Sequence, residues 1–305
     1  MKKVLPVLAL MLAVSCAPKQ ASDGVAKEDM RFPMGQQLPA PPFSGEAYIQ
    51  PLIALDTVFN FPTSNCITFG PGSHSAWHRH GAMTVIGIAG KGLYQEDGKT
   101  AQLILPGDVV EIPAGARHFH GAAPGSWFQQ IVIYDAAWKP DAHVDEDNTL
   151  TDEYYTSLKP VASEKALEHT DGLMFEPAPE FIELPTFNGK IRLSNVLDDG
   201  NEAGAPGLHY VVFEPGVINA WHSHAGGQVL ICTDGIGYHQ IEDQPVEVMH
   251  PGDVCKCPPG IKHWHGAAPG SRFAHLAANT NPDQPGVEWS NEFVSEEEYN
   301  NFPKE

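Results

Sequence analysis

The feature that most constrains this chain is an internal repeat, because its two halves have similar sequences. Trp77 to His80 recurs as Trp221 to His224, at an offset of 144 residues. Two further matches follow at an offset of 145 residues: Pro106–Val109 with Pro251–Val254, and His120–Ser126 with His265–Ser271. Internal repeats of this size indicate two copies of one folding unit. We therefore predict one unit over residues 45–158 and a second over residues 183–305, joined by a linker at residues 159–182.

Each copy is rich in turn-forming residues, with 29 Gly and 27 Pro in the whole chain. Between the turns lie short apolar or β-branched runs, such as Thr84–Ile88, Ala101–Leu105 and Gln129–Tyr134. Runs of this length are typical of strands in an antiparallel barrel or sandwich. Acidic residues follow Thr151 and Ser295 near the end of each copy, which favours a short helix there. The predicted fold is all-β, with two tandem barrels and a short helix at the end of each repeat.

The first residues are typical of an export signal. Lys2 and Lys3 form a charged start, Val4–Val14 form an apolar core, and Ala13–Ser15 provide the small residues of a cleavage site. We therefore predict a signal peptide over residues 1–15. No other apolar run in the sequence is long enough to span a membrane.

Cys16 follows the predicted cleavage site directly. The run Ala-Val-Ser-Cys resembles the lipobox of bacterial lipoproteins, with Ala13 where Leu is usual. Cys16 is therefore a predicted lipidation site, and ordinary signal cleavage is the alternative. Residues 16–44 lack hydrophobic periodicity and are expected to be a flexible tether. The chain is expected to be exported, either periplasmic or anchored to the outer membrane.

The formal net charge of −20 limits the partners of this protein. A polyanion of that size is repelled by nucleic acids and by anionic lipid surfaces. We therefore expect no nucleic-acid partner and no membrane contact other than the lipid anchor. The expected partner is a small-molecule substrate.

The second copy concentrates histidines between Trp221 and His265. His222 and His224 are two residues apart, so on a strand their side chains share one face. Gln228 and His263 would have to reach the same interior from neighbouring strands. Three imidazoles and an amide oxygen suit a divalent first-row cation such as Zn, Mn, Fe or Ni. A lone histidine is more often a satisfied core residue, so the prediction rests on the combination.

The first copy has three histidines in the same spacing, His78, His80 and His118. It is one residue shorter in this region, so either Thr84 or Met83 takes the position of the glutamine. Neither is a good ligand for a hard divalent ion. We predict a metal site of three histidines, and the alternative is a barrel kept for packing and dimerisation.

Three further residues of the second copy are predicted to be catalytic. His265 lies two residues beyond His263 and faces the same interior if the strand is regular. Tyr238 and His275 would approach from adjacent strands, and each is a candidate general acid, general base or substrate anchor. For His265 the alternative is a hydrogen bond that orients a metal ligand.

Cys255 and Cys257 are separated by one residue, as in some metal or redox pairs. Their counterparts in the first copy are Val110 and Ile112, which indicates that both cysteines are small core residues. The alternative is a disulfide with one of the two other cysteines downstream of the tether, Cys66 and Cys232.

These spacings resemble the two sequence motifs of the cupins. The first motif is similar to Gly216, His222, His224, Gln228 and Gly235, with Gln where Glu is usual, and the second to Gly252, Pro258, Gly260 and His263. Both copies resemble cupins, so the chain resembles a bicupin of two jelly-roll barrels. Its sequence around these motifs most resembles that of the cupins associated with carboxymuconolactone decarboxylase domains. The resemblance implies a bound metal and a possible homodimer.

The resemblance and the ligand set leave three kinds of function open. The first is a metal-dependent lyase, isomerase or ring-opening enzyme that acts on a small carboxylated or oxygenated molecule. The second is an O₂-dependent cupin dioxygenase. The third is a non-catalytic lipoprotein that binds a metal or ligand.

Overall fold

The computed structural model describes residues 24–136, 143–144, 150–169 and 171–303. The predicted signal peptide and the lipidation site Cys16 lie outside the described residues. Within the described part of the chain, no helix is both long enough and apolar enough to cross a membrane.

Strands in the first half of the chain form two facing sheets. One sheet has the strand order β1-β3-β4-β12-β7-β10; the other follows the path β13-β6-β11-β5-β2, with β8 and β9 added beside β11. The strands, in chain order, are β1 (Gln36–Gln37), β2 (Phe43–Ser44), β3 (Ala47–Ile53), β4 (Ser64–Phe69), β5 (His74–Ser75), β6 (His78–Arg79), β7 (Met83–Gly90), β8 (Gly92–Glu96), β9 (Gln102–Ile104), β10 (Val109–Ile112), β11 (His118–Ala122), β12 (Phe128–Tyr134) and β13 (His143–Val144).

The second half repeats this arrangement. Its sheets have the strand orders β14-β15-β16-β23-β18-β21 and β20-β19-β22-β17-β24. The strands are β14 (Ile182–Glu183), β15 (Lys190–Leu197), β16 (Leu208–Phe213), β17 (His222–His224), β18 (Gln228–Gly235), β19 (Gly237–Ile241), β20 (Glu247–Met249), β21 (Val254–Cys257), β22 (His263–Ala267), β23 (Phe273–Asn279) and β24 (Val287–Trp289). The predicted all-β fold of two tandem barrels is confirmed.

A short helix follows the strands of each barrel, as the sequence predicts. The helix α1 (Asp152–Ser157) begins at Thr151, whose side chain accepts a hydrogen bond from the backbone of the first turn. The helix α2 (Glu296–Asn301) begins at Ser295 with a capping box completed by Glu298. These caps satisfy backbone N–H groups that a helix start leaves unpaired. A 3-10 helix over Lys27–Asp29 precedes the first barrel.

The two barrels share one hydrophobic cluster. It joins Ile86 and Ile131 of the first barrel to Tyr210 and Leu276 of the second, through the intervening segment around Met174. A salt bridge of 2.8 Å between Lys256 Nζ and Asp56 lies beside this contact. Because large buried side chains from both halves pack together, the barrels bury one another's apolar surface.

Four cysteines are buried free thiols in the structure. Cys255 and Cys257 both face inwards on β21, where the residues of the strand alternate between half-buried and buried. No disulfide joins any of the described cysteines. The four are Cys66, Cys232, Cys255 and Cys257.

Candidate metal centre

Three predicted ligand histidines converge inside the second barrel. His222 and His224 lie on β17, and His222 pairs directly with His263 on β22. All three side chains are buried, and one ring nitrogen from each lies within 4.8 Å of the others. The two-residue spacing on β17 places both rings on the inner face, as the strand geometry requires.

Two of these histidines have their protons fixed by the backbone. His222 Nδ1 donates to the carbonyl of Ala220 at 2.9 Å, and His263 Nδ1 donates to the carbonyl of Ile261 at 3.1 Å. A neutral imidazole with its proton on Nδ1 has a free lone pair on Nε2. Both Nε2 atoms are therefore available to bind a cation.

Gln228 begins β18 and turns its side-chain oxygen towards the same point. Gln228 Oε1 lies 3.2 Å from Nε2 of His263. Because the proton of His263 is on Nδ1, these two facing atoms are both acceptors. A cation between them satisfies both lone pairs, so the contact fits a metal site.

His224 gives the clearest indication of a ligand position. Its Nε2 atom is buried and has no hydrogen-bond partner among the described residues. Buried polar atoms are almost always paired, so an unpaired ring nitrogen beside two other available imidazole nitrogens indicates a ligand position. The donor set of three imidazoles and one amide oxygen fits a divalent first-row cation.

Burial keeps these imidazoles in the neutral form that binds metals. It lowers the pKa of His222 to about 3, of His224 to about 4 and of His263 to about 2. The physical cause is the same in each case, because a positive charge is costly to remove from water. The four ligands are therefore uncharged near neutral pH.

His265 and His275 form a hydrogen-bonded pair next to these ligands. Asn219 Oδ1 accepts from the backbone N–H of His265 at 2.8 Å, which fixes the orientation of the amide. Asn219 Nδ2 then donates to His265 Nε2 at 3.1 Å, so His265 carries its proton on Nδ1. That proton points at His275 Nε2, 3.3 Å away. Burial lowers the pKa of both rings, of His275 to about 3.

A cavity of about 300 Å³ lies next to this cluster. Trp289 of β24 stacks on His222, with ring centroids 4.4 Å apart, and forms one wall. The cavity is therefore apolar on one side and has polar atoms on the other. Apart from the histidines, Gln228 and Asn219, its lining consists of Phe187, Leu193, Val211, Phe213, Ala277, Asn279 and Trp289.

The prediction that Tyr238 belongs to the site is wrong. Its hydroxyl donates to the carbonyl of Pro303 at 2.7 Å, and its ring packs against Tyr299 and Phe302 outside the barrel. Neighbouring residues on a strand face opposite ways, and it is His239 that pairs directly with His265. The inward-facing residue of this part of β19 is therefore His239.

Asn219, Trp289 and His239 were not predicted from the sequence. Asn219 lies two residues before Trp221 and has no distinctive local pattern. Trp289 reaches the site only because β24 pairs with β17, at His222. Such pairing depends on how distant strands align, which no short sequence pattern encodes.

The first barrel also brings histidines together, but a different set of them lies close in space. By distance, the group within 4.8 Å is His78, His118 and His120. His80 is not in that group, although its ring centroid lies 4.8 Å from that of His118 and 5.2 Å from that of His78. The buried Nε2 atoms of His80 and His118 have no partner among the described residues.

Proton positions distinguish His80 from His120. The Nδ1 atoms of His78, His80 and His118 each donate to a backbone carbonyl, which places the proton of each ring on Nδ1. His120 Nδ1 instead accepts from the Gln130 amide at 2.7 Å, so its proton is on Nε2. The three predicted histidines therefore share one tautomer, with the proton on Nδ1, and His120 has the other.

The strand register identifies the counterpart of the glutamine ligand. Met83 pairs with Ile112, just as Gln228 pairs with Cys257. Met83 therefore takes the glutamine position, and Thr84 bonds instead to Glu111 at 3.3 Å. The neighbouring cavity of about 400 Å³ is lined mainly by apolar side chains.

The fold and the site together define a cupin. The family model described as the cupin domain matches residues 209–276. The (R)-mandelonitrile lyase of Granulicella tundricola is 44% identical over 113 residues, which is 37% of this chain and 85% of that protein. The chain therefore belongs to the cupin family.

Solved structures with two barrels show the same overall fold. The Lactobacillus farciminis oxalate decarboxylase in complex with formate is 12% identical, with a TM-score of 0.52, and the match covers 90% of this chain and 96% of that one. A mutant of the Bacillus subtilis oxalate decarboxylase is 15% identical, with a TM-score of 0.53, and the match covers 86% of this chain and 78% of that one. At these identities the likeness concerns the fold alone. The subgroup of cupins associated with carboxymuconolactone decarboxylases stays a prediction.

Proposed function

We propose that the second barrel is a metal-dependent lyase that cleaves a small, uncharged hydroxylated molecule, with cyanohydrins as the substrate class. The observation that carries this proposal is the neutral His265–His275 pair, which lies beside four neutral ligands and an apolar cavity. The relative named for mandelonitrile cleavage supports the substrate class. The chain is 44% identical to that relative over about the length of one barrel.

The cavity favours an uncharged substrate over a carboxylate. Among its described lining residues there is no arginine or lysine to pair with a carboxylate. Phe213, Leu193 and Trp289 instead offer apolar and aromatic surface for a ring or an alkyl group. We therefore narrow the expected carboxylated or oxygenated substrate to an oxygenated, uncharged one.

The bound cation would supply a Lewis acid of undiminished +2 charge for the substrate hydroxyl oxygen, because all four ligands are neutral. In the cleavage direction the hydroxyl proton passes to His265 at Nε2, which gives up its hydrogen bond from Asn219 Nδ2 to accept it. The Nδ1 proton of His265 can then move to His275 Nε2, 3.3 Å away. The C–C bond breaks with its electron pair on cyanide, and the same histidines return a proton to give an aldehyde and HCN.

The first barrel lacks this proton path. Ser75 takes the place of Asn219 and accepts from the backbone of His120 at 3.2 Å. Gln130 takes the place of His275. An amide cannot accept and return a proton as an imidazole does, so we assign the activity to the second barrel.

The test is cyanohydrin cleavage by the full chain, reconstituted in turn with Mn²⁺, Zn²⁺, Fe²⁺ and Ni²⁺. We expect aldehyde release from mandelonitrile that needs one of these cations and that His265→Ala abolishes. His250→Ala is the control, because His250 is an exposed histidine of the same barrel.

Two results would favour the other kinds of function. Oxygen consumption coupled to turnover would indicate a cupin dioxygenase. Failure to take up any of the four cations, together with no aldehyde release, would indicate a protein that is not a metalloenzyme.

A further inference from the structure

A separate group of metal-binding side chains lies in the wall of the second barrel. His239, Glu247 and Cys255 come from β19, β20 and β21, and one ligand atom from each lies within 4.8 Å of the others. His239 Nδ1 is 2.9 Å from Glu247 Oε2, and Cys255 Sγ is 3.6 Å from the same oxygen. The sulfur of Met249 lies 3.1 Å from Cys255 Sγ.

The first barrel shows that packing does not require these side chains. Its equivalent positions on β8, β9 and β10 carry Tyr94, Gln102, Ile104 and Val110. Tyr94 pairs with Gln102 just as His239 pairs with Glu247. Tyr94, Ile104 and Val110 belong to an ordinary hydrophobic cluster. The same fold is therefore built without ligands in one copy, whereas the other copy places a thiol, a thioether, an imidazole and a carboxylate together.

We propose that His239, Glu247 and Cys255 bind a thiophilic divalent cation of the Zn²⁺ class, at a site distinct from the centre at His222. Imidazole, carboxylate and thiolate are the usual protein ligands of Zn²⁺. Ligand atoms about 2.2 Å from a tetrahedral ion lie about 3.6 Å apart, close to the separations found here. The side chain of Glu247 is 62% exposed, so it can adjust to the ion and the ion can enter from solvent.

Binding of the cation changes the protonation of Cys255 and the tautomer of His239. Cys255 loses its thiol proton to solvent when the sulfur binds the cation. His239 remains neutral and moves its proton from Nδ1 to Nε2, which lies 3.1 Å from Cys257 Sγ. Cys257 then accepts that hydrogen bond and is not itself a ligand. One proton is released for each cation bound.

The experiment is titration of the reduced full chain with Co²⁺, followed by displacement with Zn²⁺. A thiolate bound to Co²⁺ gives a charge-transfer absorption in the near ultraviolet, which the sulfur-free ligand set around His222 cannot give. We expect this band in the wild type and in His224→Ala, with its loss on Zn²⁺ addition. Cys255→Val, the residue found at the equivalent position of the first barrel, should abolish the band.

Matched variants keep the outcome clear if Cys255→Val folds poorly. Glu247→Gln changes a largely exposed side chain and should weaken Co²⁺ binding by at least about tenfold, the lower end of losses seen when a metal's surroundings are altered. Cys257→Ile and Cys66→Val should leave the band in place. Absence of the band in the wild type at saturating Co²⁺, or its persistence in Cys255→Val, overturns the proposal. So does its loss in Cys257→Ile.

Discussion

At the scale of single residues, proton position determines what each histidine can do. Four histidines of each barrel recur at matching positions, yet their Nδ1 partners divide them. Rings that donate from Nδ1 to a backbone carbonyl present a free Nε2, as His222 and His263 do. His265 is held in the same tautomer by an amide instead, and it directs its proton at another ring.

His224→Ala removes the ligand whose Nε2 has no other partner. We expect the metal content of the purified protein to fall by about one equivalent per chain, because the site loses one of its four ligands and binds the ion more weakly. Elemental analysis of the purified protein measures this, with His250→Ala as the control. Unchanged metal content would show that the ligand set is wrong.

Asn219→Asp tests the tautomer of His265 without touching a ligand. A carboxylate cannot donate, so it would draw the proton of His265 to Nε2 and leave two lone pairs facing each other between His265 and His275. We expect lyase activity to fall between about tenfold and a hundredfold, with metal content unchanged. Parallel measurement of kcat and bound metal separates this effect from simple loss of the cation.

At the scale of strands, alternation explains both the success and the failure of the sequence prediction. The spacing of His222 and His224 placed both rings on one face, and the structure brings them together with His263. Tyr238 was predicted to approach the site from an adjacent strand, but its neighbour His239 is the inward residue of that strand. The two-residue period is local information, whereas strand register is set by distant pairing and by irregularities such as the shift between Cys232 and Asp234.

Tyr238→Phe tests the outward placement of this residue. The substitution removes the hydrogen bond to the Pro303 carbonyl and should lower the free energy of unfolding by about 1 kcal/mol. Activity and metal content should stay at the wild-type level. Urea denaturation and the cyanohydrin assay measure the two effects, and a large loss of activity at unchanged stability would return Tyr238 to the site.

At the scale of the whole molecule, the two barrels have the same framework and different interiors. The repeat in the sequence was sufficient to predict the duplicated all-β fold. It could not show that Asn219 and His275 both contact His265, or that Ser75 and Gln130 contact His120 in the first barrel. Those differences involve single residues on separate strands, and only the assembled barrel brings them into contact.

The buried histidines also predict how the metal-free protein responds to acid. Their pKa values of about 2 to 4 in the folded state lie below the value of about 6.5 expected in an unfolded chain. Between these values the unfolded chain binds more protons, so the free energy of unfolding falls as the pH is lowered. We expect the Tm of the metal-free protein to be unaffected by these groups above pH 6.5 and to fall steadily from about pH 6.5 to pH 4. Calorimetry across this range checks the sign.

The hydrophobic cluster shared by the barrels has one more consequence. A face that a single barrel would have to cover with a second molecule is here covered by the other half of the same polypeptide. The association is therefore unimolecular, and its strength does not depend on protein concentration. Diluting this protein would therefore not separate its halves.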